Sequence, residues 1–263
     1  MSELLHSLQA ALPAASWLIA LDRDGTLVPY AARPEEARVD EHLTTITRAL
    51  AQQRGFHIAV ISARSVAQLR GDFDRQGIIL AGNYGMEVRF PDGRQVVQPQ
   101  ALNAVPYLKL VRDQLATMLD LESGVILEDH GYSLCLHWHQ VPLSRRDDVH
   151  RAVQLLSQDF SQVRFRTLPT SYEVLPNIPW DKGLAMSFLD SQIHRDGIDP
   201  LYFYAGDSEA DVAAFEWVNQ RGGISVRVGG DTAIGAQYHL MHPEDLQAVL
   251  QQLANKRAAL SAA

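Results

Sequence analysis

The sequence predicts an α/β fold in which both ends of the chain build one parallel sheet and the middle forms a separate α+β unit. At both ends, short apolar runs alternate with segments of helical spacing, which is the pattern of a parallel sheet covered by helices. In the middle, the order changes to helix, strand, strand, helix, strand, strand, which is typical of an antiparallel sheet with helices on one face. We therefore expect a discontinuous core at residues 1–101 and 180–263, with an inserted unit at residues 102–179.

The amino-terminal part of the core is predicted element by element. A short amphipathic helix precedes the apolar run Trp17–Leu21, which predicts a buried strand. Asp40 is placed to cap the next helix. The remaining elements are a helix at 40–52, a strand at 57–61, a helix at 65–74, a strand at 78–81 and a hairpin at 84–97 with an Asp-Gly turn.

The inserted unit and the carboxy-terminal part of the core follow in the same way. Ser144 is predicted to cap the second helix of the inserted unit, and residues 176–179 read as the linker back to the core. The inserted unit has a helix at 104–121, strands at 124–129 and 132–139, a helix at 144–160 and strands at 163–167 and 172–175. The core then resumes with a helix at 182–193, a strand at 201–205, a helix at 208–218, a strand at 224–228 and a helix at 243–253.

Composition excludes several classes of function. The chain has 263 residues, of which 46% are hydrophobic, and its net charge is −8. No stretch concentrates Lys and Arg, so nucleic-acid binding is not expected. No segment offers the roughly 20 apolar residues that a membrane span needs, and the first residues lack the cationic start of a signal peptide. The single cysteine, Cys135, lies in an apolar run and is predicted to be a buried structural thiol, compatible with a cytoplasmic location.

The strongest chemical feature follows the first predicted strand. Asp22 and Asp24 come directly after Trp17–Leu21, and Gly25 permits the tight turn that follows them. Ligands of an open parallel sheet bind beyond the carboxyl ends of its strands. Two carboxylates two residues apart at such an end can face one cavity.

Three further features follow other predicted core strands or begin core helices. Ser62, with Arg64 close behind, offers a hydroxyl and helix N–H groups to a phosphate, although Ser is also a common helix cap. Lys182 begins a helix and could equally be a solvated lysine. Asp207 and Asp211 are four residues apart and could point to one side, although such residues are also ordinary caps. Together the four features predict a site for phosphoryl transfer.

These motifs, in this order, resemble the haloacid dehalogenase (HAD) superfamily of phosphatases, which implies a Rossmann-like core. The insert between the motifs of Ser62 and Lys182 is similar to the α/β cap of the second class. Within that branch, the sequence resembles trehalose-6-phosphate phosphatases along nearly its whole length. The stretches that carry this resemblance are residues 21–27, 61–64, 81–82 with 85 and 87, 127–128, 136–137, 172–174, 181–183, 206–211 and 215–229.

The resemblance implies roles for the core residues. Asp22 would be the nucleophile that forms an aspartyl-phosphate, and Asp24 would be the general acid and base. Mg²⁺ would be held by Asp22, Asp207 and the backbone carbonyl of Asp24, with Asp211 bound directly or through water. The phosphate would be bound by Ser62, Arg64 and Lys182.

In the inserted unit, the resemblance implies that Glu128 and Glu173 read the sugar, although both could be strand-end charges. Some positions depart from the family pattern: His130 stands for the usual Lys, His139 for Arg, Tyr84 for His and Ser208 for Asp. The residues expected to contact the substrate are Glu128, His130, Glu173 and Tyr84.

The expected partner is therefore a small-molecule sugar phosphate. Trehalose 6-phosphate comes first, and sucrose phosphate, glucosylglycerol phosphate and glucosylglycerate phosphate stay open because of these departures. A sugar phosphotransferase or mutase on the same core, and a non-catalytic sugar-phosphate sensor, are the other readings. The presence of both Asp22 and Asp24 speaks against the sensor. The sequence gives no oligomeric state.

Overall fold

The computed structural model describes residues 1–31, 33, 36–74, 76–119, 124–193, 199–230 and 234–262. The chain forms two compact units. The first joins Met1–Gln95 to Trp180–Ala263, and the second is Val96–Pro179. None of the helices in the described ranges is long and apolar enough to cross a membrane.

The first unit is a largely parallel sheet with helices packed against it. Its strand order is β12-β11-β10-β1-β2-β3-β4-β5, in which β3 and β4 are antiparallel and the pairs from β12 to β3 are parallel. The elements are α1 (Ser2–Ala11), β1 (Trp17–Leu21), α2 (Glu41–Ala51), β2 (Phe56–Ile61), α3 (Val66–Phe73), β3 (Ile79–Gly82), β4 (Glu87–Arg89), β5 (Gln95–Val97), α6 (Lys182–Ile193), β10 (Leu201–Gly206), α7 (Val212–Asn219), β11 (Ile224–Val228), β12 (Tyr238–Leu240) and α8 (Pro243–Ala262). The predicted α/β fold is confirmed.

The sheet is anchored by an apolar core. Every residue of β1 is buried, as expected of a strand covered on both faces. Asp40 caps α2 by accepting a hydrogen bond from the backbone N–H of Leu43 at 2.7 Å, as the sequence predicts. Ser65 caps α3 in the same way with Gln68, in a reciprocal capping box. The two caps set the first residues of α2 and α3.

The second unit is an antiparallel sheet with two helices. Its strand order is β6-β7-β9-β8. Its apolar core joins both helices to the sheet through Leu108, Val149 and Leu136. The elements are α4 (Pro99–Met118), β6 (Ile126–Asp129), β7 (Leu134–His137), α5 (Arg146–Asp159), β8 (Val163–Thr167) and β9 (Ser171–Pro176).

Several predicted boundaries differ from the structure. Helix α4 begins at Pro99 and not at 104, because proline at the first helical position lacks only an N–H that has no partner there anyway. Residues 120 and 121 of the predicted helix lie outside the described residues. Ser144 does not cap α5: a 3₁₀ turn at Leu143–Arg145 precedes the helix, and no side chain caps it. Strand β12 and the last nine residues of α8 were not predicted; β12 is only three residues long.

Candidate active site

The predicted strand-end residues of the core share one edge of the sheet. Strand β1 lies between β10 and β2, and Leu21 is paired with Ala205 on one side and Val60 on the other. Because these pairs are parallel, Asp22, Ser62 and Asp207 all follow carboxyl ends at the same edge. The strand register therefore places these three sequence-predicted residues together.

Lys182 connects two of the predicted carboxylates. It is the first residue of α6, and its side chain is almost fully buried. Its ammonium lies 2.8 Å from Asp22 Oδ1 and 2.6 Å from Asp211 Oδ1. A buried ammonium needs such partners, since an uncompensated buried charge is costly. Lys182 is thus part of the site and not a solvated surface lysine.

Both oxygens of Asp211 accept hydrogen bonds from the chain itself. Besides Lys182, Oδ1 accepts a bond from the hydroxyl of Tyr204 at 2.6 Å. Oδ2 accepts bonds from the Ser208 hydroxyl at 2.7 Å and from the backbone N–H groups of Ser208 and Asp207 at 2.9 and 3.2 Å. Asp211 therefore holds the backbone of Asp207 and Ser208 in place.

The carboxylates outnumber the cation in this buried cluster. Burial raises the pKa of Asp22 well above its ordinary value; Lys182 opposes this effect, and the charges of Asp211 and Asp207 add to it. Burial and the charge of Asp211 also raise the pKa of Asp207. Burial acts in the same direction on Asp211, but the charge and hydrogen bond of Lys182 outweigh it and lower the pKa of Asp211. An added divalent cation would relieve this excess of negative charge.

Asp22, Asp207 and Asp211 can hold such a cation. One carboxylate oxygen from each lies within 4.8 Å of the others. An all-oxygen set of carboxylates is what Mg²⁺ prefers. The residues present therefore fit the predicted magnesium site.

The turn after β1 brings Asp207 close to Gly25. Gly25 has a φ of +82°, and a Cβ there would lie 2.3 Å from Asp207 Oδ2. Glycine is thus required both by the backbone conformation and by the approach of the carboxylate. The hydroxyl of Tyr30 donates to the same oxygen of Asp207 at 2.8 Å, which holds the carboxylate at the turn.

Asp24 is held by two arginines. Arg64 makes a forked contact, with Nε 2.7 Å from Oδ2 and Nη2 2.9 Å from Oδ1 of Asp24. Arg23 donates to Oδ1 at 2.5 Å and is itself buried, bound also to Asp72. The structure therefore places the guanidinium of Arg64 on Asp24, whereas the sequence analysis assigned it to the phosphate.

The predicted entrance residue Tyr84 is buried and belongs to a strained turn. Asn83 and Tyr84 have φ values of +49° and +60°. The turn is held by hydrogen bonds from the backbone N–H of Tyr84 to Ser62 O and from that of Asn83 to Arg64 O, both at 2.8 Å. Left-handed non-glycine residues cluster at functional sites. Tyr84 thus supports the loop of Ser62 through its backbone.

The predicted sugar-reading glutamates lie in one row of the second sheet. Glu128 is opposite Cys135, Cys135 is opposite Glu173, and Glu173 is opposite Arg166. Residues opposite one another in a sheet project from the same face. Both glutamates therefore share a face.

Each of these glutamates has a cationic or imidazole partner. Glu128 Oε2 lies 2.7 Å from His137 Nε2, and its Oε1 lies 3.8 Å from His130 Nε2. Burial would raise the pKa of Glu128, but the two imidazoles outweigh it and hold the pKa far below its ordinary value. Glu173 is paired with the guanidinium of Arg166. His139 lies just beyond β7, edge-on to His137 at 6.2 Å between ring centroids.

Sequence reasoning missed several contacts that shape the two sites. The hydroxyl of Tyr204 in the buried strand β10 is a usable signal, because a buried tyrosine needs a partner. Arg23 stands between Asp22 and Asp24 and was a second signal. The contacts of Tyr30 with Asp207 and of Arg166 with Glu173 join residues far apart in the sequence or in different strands.

Comparison with known proteins places the chain in a family. Residues 20–243 match the family model described as trehalose-phosphatase. The chain belongs to the trehalose-phosphatase family. The resemblance seen in the sequence is therefore confirmed.

Three relatives are similar to the chain over most of its length, and two of them are described as trehalose-phosphate phosphatases. An uncharacterized glycosyl hydrolase of Mycobacterium tuberculosis is 33% identical over 242 residues, covering 90% of this chain and 18% of that protein. Trehalose-phosphate phosphatase B of Arabidopsis thaliana is 27% identical, covering 89% of this chain and 65% of that protein. The trehalose-phosphate phosphatase of M. tuberculosis is 30% identical, covering 97% of this chain and 67% of that protein. The chain thus spans about two thirds or less of the length of these relatives.

Solved structures share the fold. The C-terminal domain of the trehalose-6-phosphate phosphatase of C. albicans has a TM-score of 0.80 at 20% identity, covering 97% of this chain and 96% of that one. A haloacid dehalogenase-like hydrolase from Bacteroides thetaiotaomicron has a TM-score of 0.64 at 14% identity, covering 90% and 99%. These likenesses confirm the predicted HAD-like fold.

Proposed function

We propose that the chain is a Mg²⁺-dependent phosphatase that removes phosphate from a glycosyl phosphate through an aspartyl-phosphate on Asp22. The observation that carries this proposal is the buried cluster at the end of β1, where Asp22 contacts Lys182 and lies beside Asp207 and Asp211. The family adds the substrate class, and trehalose 6-phosphate is the first candidate. The buried thiol of Cys135 suits a cytoplasmic location.

Asp22, Asp207 and the backbone carbonyl of Asp24 would hold the cation. Asp211 Oδ1 accepts two bonds from the chain and Oδ2 accepts three, whereas each oxygen of Asp207 accepts one from a hydroxyl. We therefore assign Asp211 an indirect role, either through water or by fixing the loop of Asp207. When bound, Mg²⁺ neutralises charge on the phosphoryl group and lets an anionic carboxylate approach it.

The residues of the chain would perform two displacements. Asp22 attacks phosphorus in line, and the sugar oxygen leaves with a proton from Asp24. Water then attacks the aspartyl-phosphate and gives its proton back to Asp24. Lys182 balances the negative charge, and the hydroxyl of Ser62 binds a phosphoryl oxygen.

Two arginines hold Asp24, the acid and base of this cycle. In the structure its carboxylate is bound to Arg23 and Arg64. Among the described residues, Oδ2 accepts a bond from Arg64 alone and keeps a second lone pair for the leaving oxygen. We therefore propose that Arg64 positions Asp24 in addition to, or in place of, binding phosphate.

The sugar would be read by the face of the second sheet. Glu128 and Glu173 are oriented there by His137 and Arg166. Carboxylates fixed in this way accept hydrogen bonds from sugar hydroxyls and reject analogues that lack them.

A related glycosyl phosphate is the second candidate substrate. His130, which stands where the family usually has a lysine, lies 3.8 Å from Glu128 and is buried. An imidazole has a shorter reach than a lysine and a charge that depends on pH. The replacement of lysine by His130 therefore changes the residues assigned to sugar recognition and leaves the chemistry assigned to Asp22 unchanged.

The nucleophile is tested with Asp22→Asn, using Asp92→Asn in the exposed turn before β5 as the matched control. We expect phosphate release to be lost by about 10⁴-fold or more in the first variant, since a triad-type nucleophile carries losses of that order, and to be unchanged in the control. Retained activity in Asp22→Asn would remove Asp22 from its role. EDTA is expected to stop the reaction and Mg²⁺ to restore it.

The substrate is tested by phosphate release from trehalose 6-phosphate, sucrose 6-phosphate, glucosylglycerol phosphate, glucosylglycerate phosphate and simple hexose phosphates. A preference for trehalose 6-phosphate supports the first candidate. A preference for another member of the panel assigns the altered specificity to His130, His139 and Tyr84.

A further inference from the structure

The second sheet brings three different metal-ligating side chains to one face. Glu128 of β6 is opposite Cys135 of β7, and His137 lies two residues further along β7. Alternate residues of a strand project to the same face, so all three side chains lie together. One ligand atom from each lies within 4.8 Å of the others.

We propose that Glu128, Cys135 and His137 form a binding site for a thiophilic divalent cation of the Zn²⁺ type. Sulfur, imidazole nitrogen and carboxylate oxygen are the donors that Zn²⁺ takes, and three protein ligands leave a fourth position for water or another ligand. Mg²⁺ prefers oxygen donors alone. The site therefore differs in metal preference from the carboxylate cluster at the end of β1.

The strands already hold the ligands at a suitable spacing. In a tetrahedral zinc site with bonds of about 2.0–2.3 Å, neighbouring donor atoms are about 3–4 Å apart. Glu128 Oε2 and His137 Nε2 lie 2.7 Å apart, and the separations within the cluster reach at most 4.8 Å. With the strands paired as they are, the donors therefore already lie near the spacing of a tetrahedral site.

The cluster is partly exposed. The side chains of Glu128 and His137 are 22% and 15% exposed, whereas Cys135 is buried. A hydrated cation can therefore reach the carboxylate and the imidazole. Glu173, next to Cys135 in the register, is paired with Arg166.

Binding displaces a proton from the thiol. A cysteine binds a metal as the thiolate, so the thiol of Cys135 must lose its proton. As the sulfur–metal bond forms, this proton goes to solvent. His137 gives up its contact with Glu128 and offers the lone pair of Nε2 to the metal, with its proton on Nδ1.

Occupancy would also affect catalysis if Glu128 reads the sugar. A cation bound by Glu128 removes that carboxylate from the sugar, so Zn²⁺ would inhibit hydrolysis of the sugar phosphate. This consequence rests on the proposed function, whereas binding of the cation does not.

Titration of the full chain with Co²⁺ in the presence of excess Mg²⁺ tests the site. Co²⁺ takes the place of Zn²⁺ and gives a thiolate-to-metal absorption band. Because Cys135 is the only cysteine of the sequence, such a band reports on this thiol alone. We expect the band to saturate at one equivalent of Co²⁺ and to disappear when Zn²⁺ is added.

Variants separate a built site from a simple thiol. Cys135→Ser should abolish the band, and Glu128→Gln and His137→Gln should each weaken Co²⁺ binding about 10-fold or more, since even outer-shell partners of metal ligands contribute 10–100-fold. His42→Gln, an exposed imidazole on α2, is the matched control and should bind as the parent does.

Absence of the band in folded protein, or unchanged Co²⁺ affinity in both Glu128→Gln and His137→Gln, would overturn the proposal. The absorbance is measured without substrate, so a negative result would contradict the cation site but not the proposed phosphatase function. A chain that shows the band but releases no phosphate would support the cation site and contradict the proposed phosphatase function.

Discussion

The two units place their acidic residues in opposite electrostatic environments. At the end of β1, Asp22 and Asp211 share the buried ammonium of Lys182, and burial with mutual repulsion raises the pKa of Asp22 and of the neighbouring Asp207. In the second sheet, Glu128 is matched by imidazoles and its pKa is lowered. The first arrangement carries an excess of negative charge that a bound cation would offset. In the second, the imidazoles lie on both oxygens of Glu128 and orient its carboxylate.

The largest effect is expected from removing the one cation of the core cluster. Lys182→Met leaves the two buried carboxylates of Asp22 and Asp211 without their counter-ion, and breaking a buried pair typically costs about 3–5 kcal/mol. We expect a loss of that order in the free energy of unfolding without metal, partly recovered by Mg²⁺, together with loss of phosphate release. Denaturant unfolding with and without Mg²⁺ measures this change in the free energy of unfolding.

Lys109→Met on α4 is the matched control, because Lys109 is exposed. An unchanged unfolding free energy in Lys182→Met would mean that the carboxylates are not balanced by Lys182, and the contrast between the two units would fail.

The next effect concerns the arginine on Asp24. If Arg64 positions Asp24, Arg64→Ala should lower kcat about 10–100-fold, which corresponds to a charged hydrogen bond of about 1.5–3 kcal/mol. Inhibition by the product phosphate should then be unchanged. If Arg64 binds phosphate instead, the inhibition constant for phosphate should rise in step. Steady-state kinetics with phosphate as inhibitor distinguishes the two roles.

The second unit should respond selectively. Glu173→Gln keeps the size of the side chain but removes the charge that pairs with Arg166. We expect turnover of the preferred glycosyl phosphate to fall about 10–100-fold, again the worth of a charged hydrogen bond, and turnover of a small aryl phosphate to stay within about twofold. Equal losses on both substrates would show that this face does not read the sugar.

The contrast between the units also explains what sequence could predict. Asp22, Ser62 and Asp207 were predictable because apolar runs define the strands, and parallel strands end at one edge. The contact of Lys182 with Asp22 depends on how α6 packs, and no local pattern encodes it. Arg64 was assigned to phosphate because it follows Ser62, yet its long side chain reaches back to Asp24.

In the second unit, strand register is the information that sequence reasoning lacked. Glu128 and His137 are nine residues apart, and they meet only because the hairpin pairs Glu128 with Cys135. A shift by one residue would turn these side chains to the other face. The family resemblance predicts a role for the two glutamates, whereas their pairing with His137 and Arg166 follows only from the strand register of the sheet.

The smallest effect expected is a shift of the pH profile with Mg²⁺. The pKa values of Asp22 and Asp207 are raised while no cation is bound, so protons and Mg²⁺ compete for the same carboxylates. Higher Mg²⁺ should therefore move the acid limb of kcat/KM to lower pH, by up to about one unit for each tenfold increase below saturation. Glu128, whose pKa is lowered, should add no such shift. Profiles at two Mg²⁺ concentrations decide it: an acid limb that does not move would mean that the excess negative charge of the core cluster is not what Mg²⁺ neutralises.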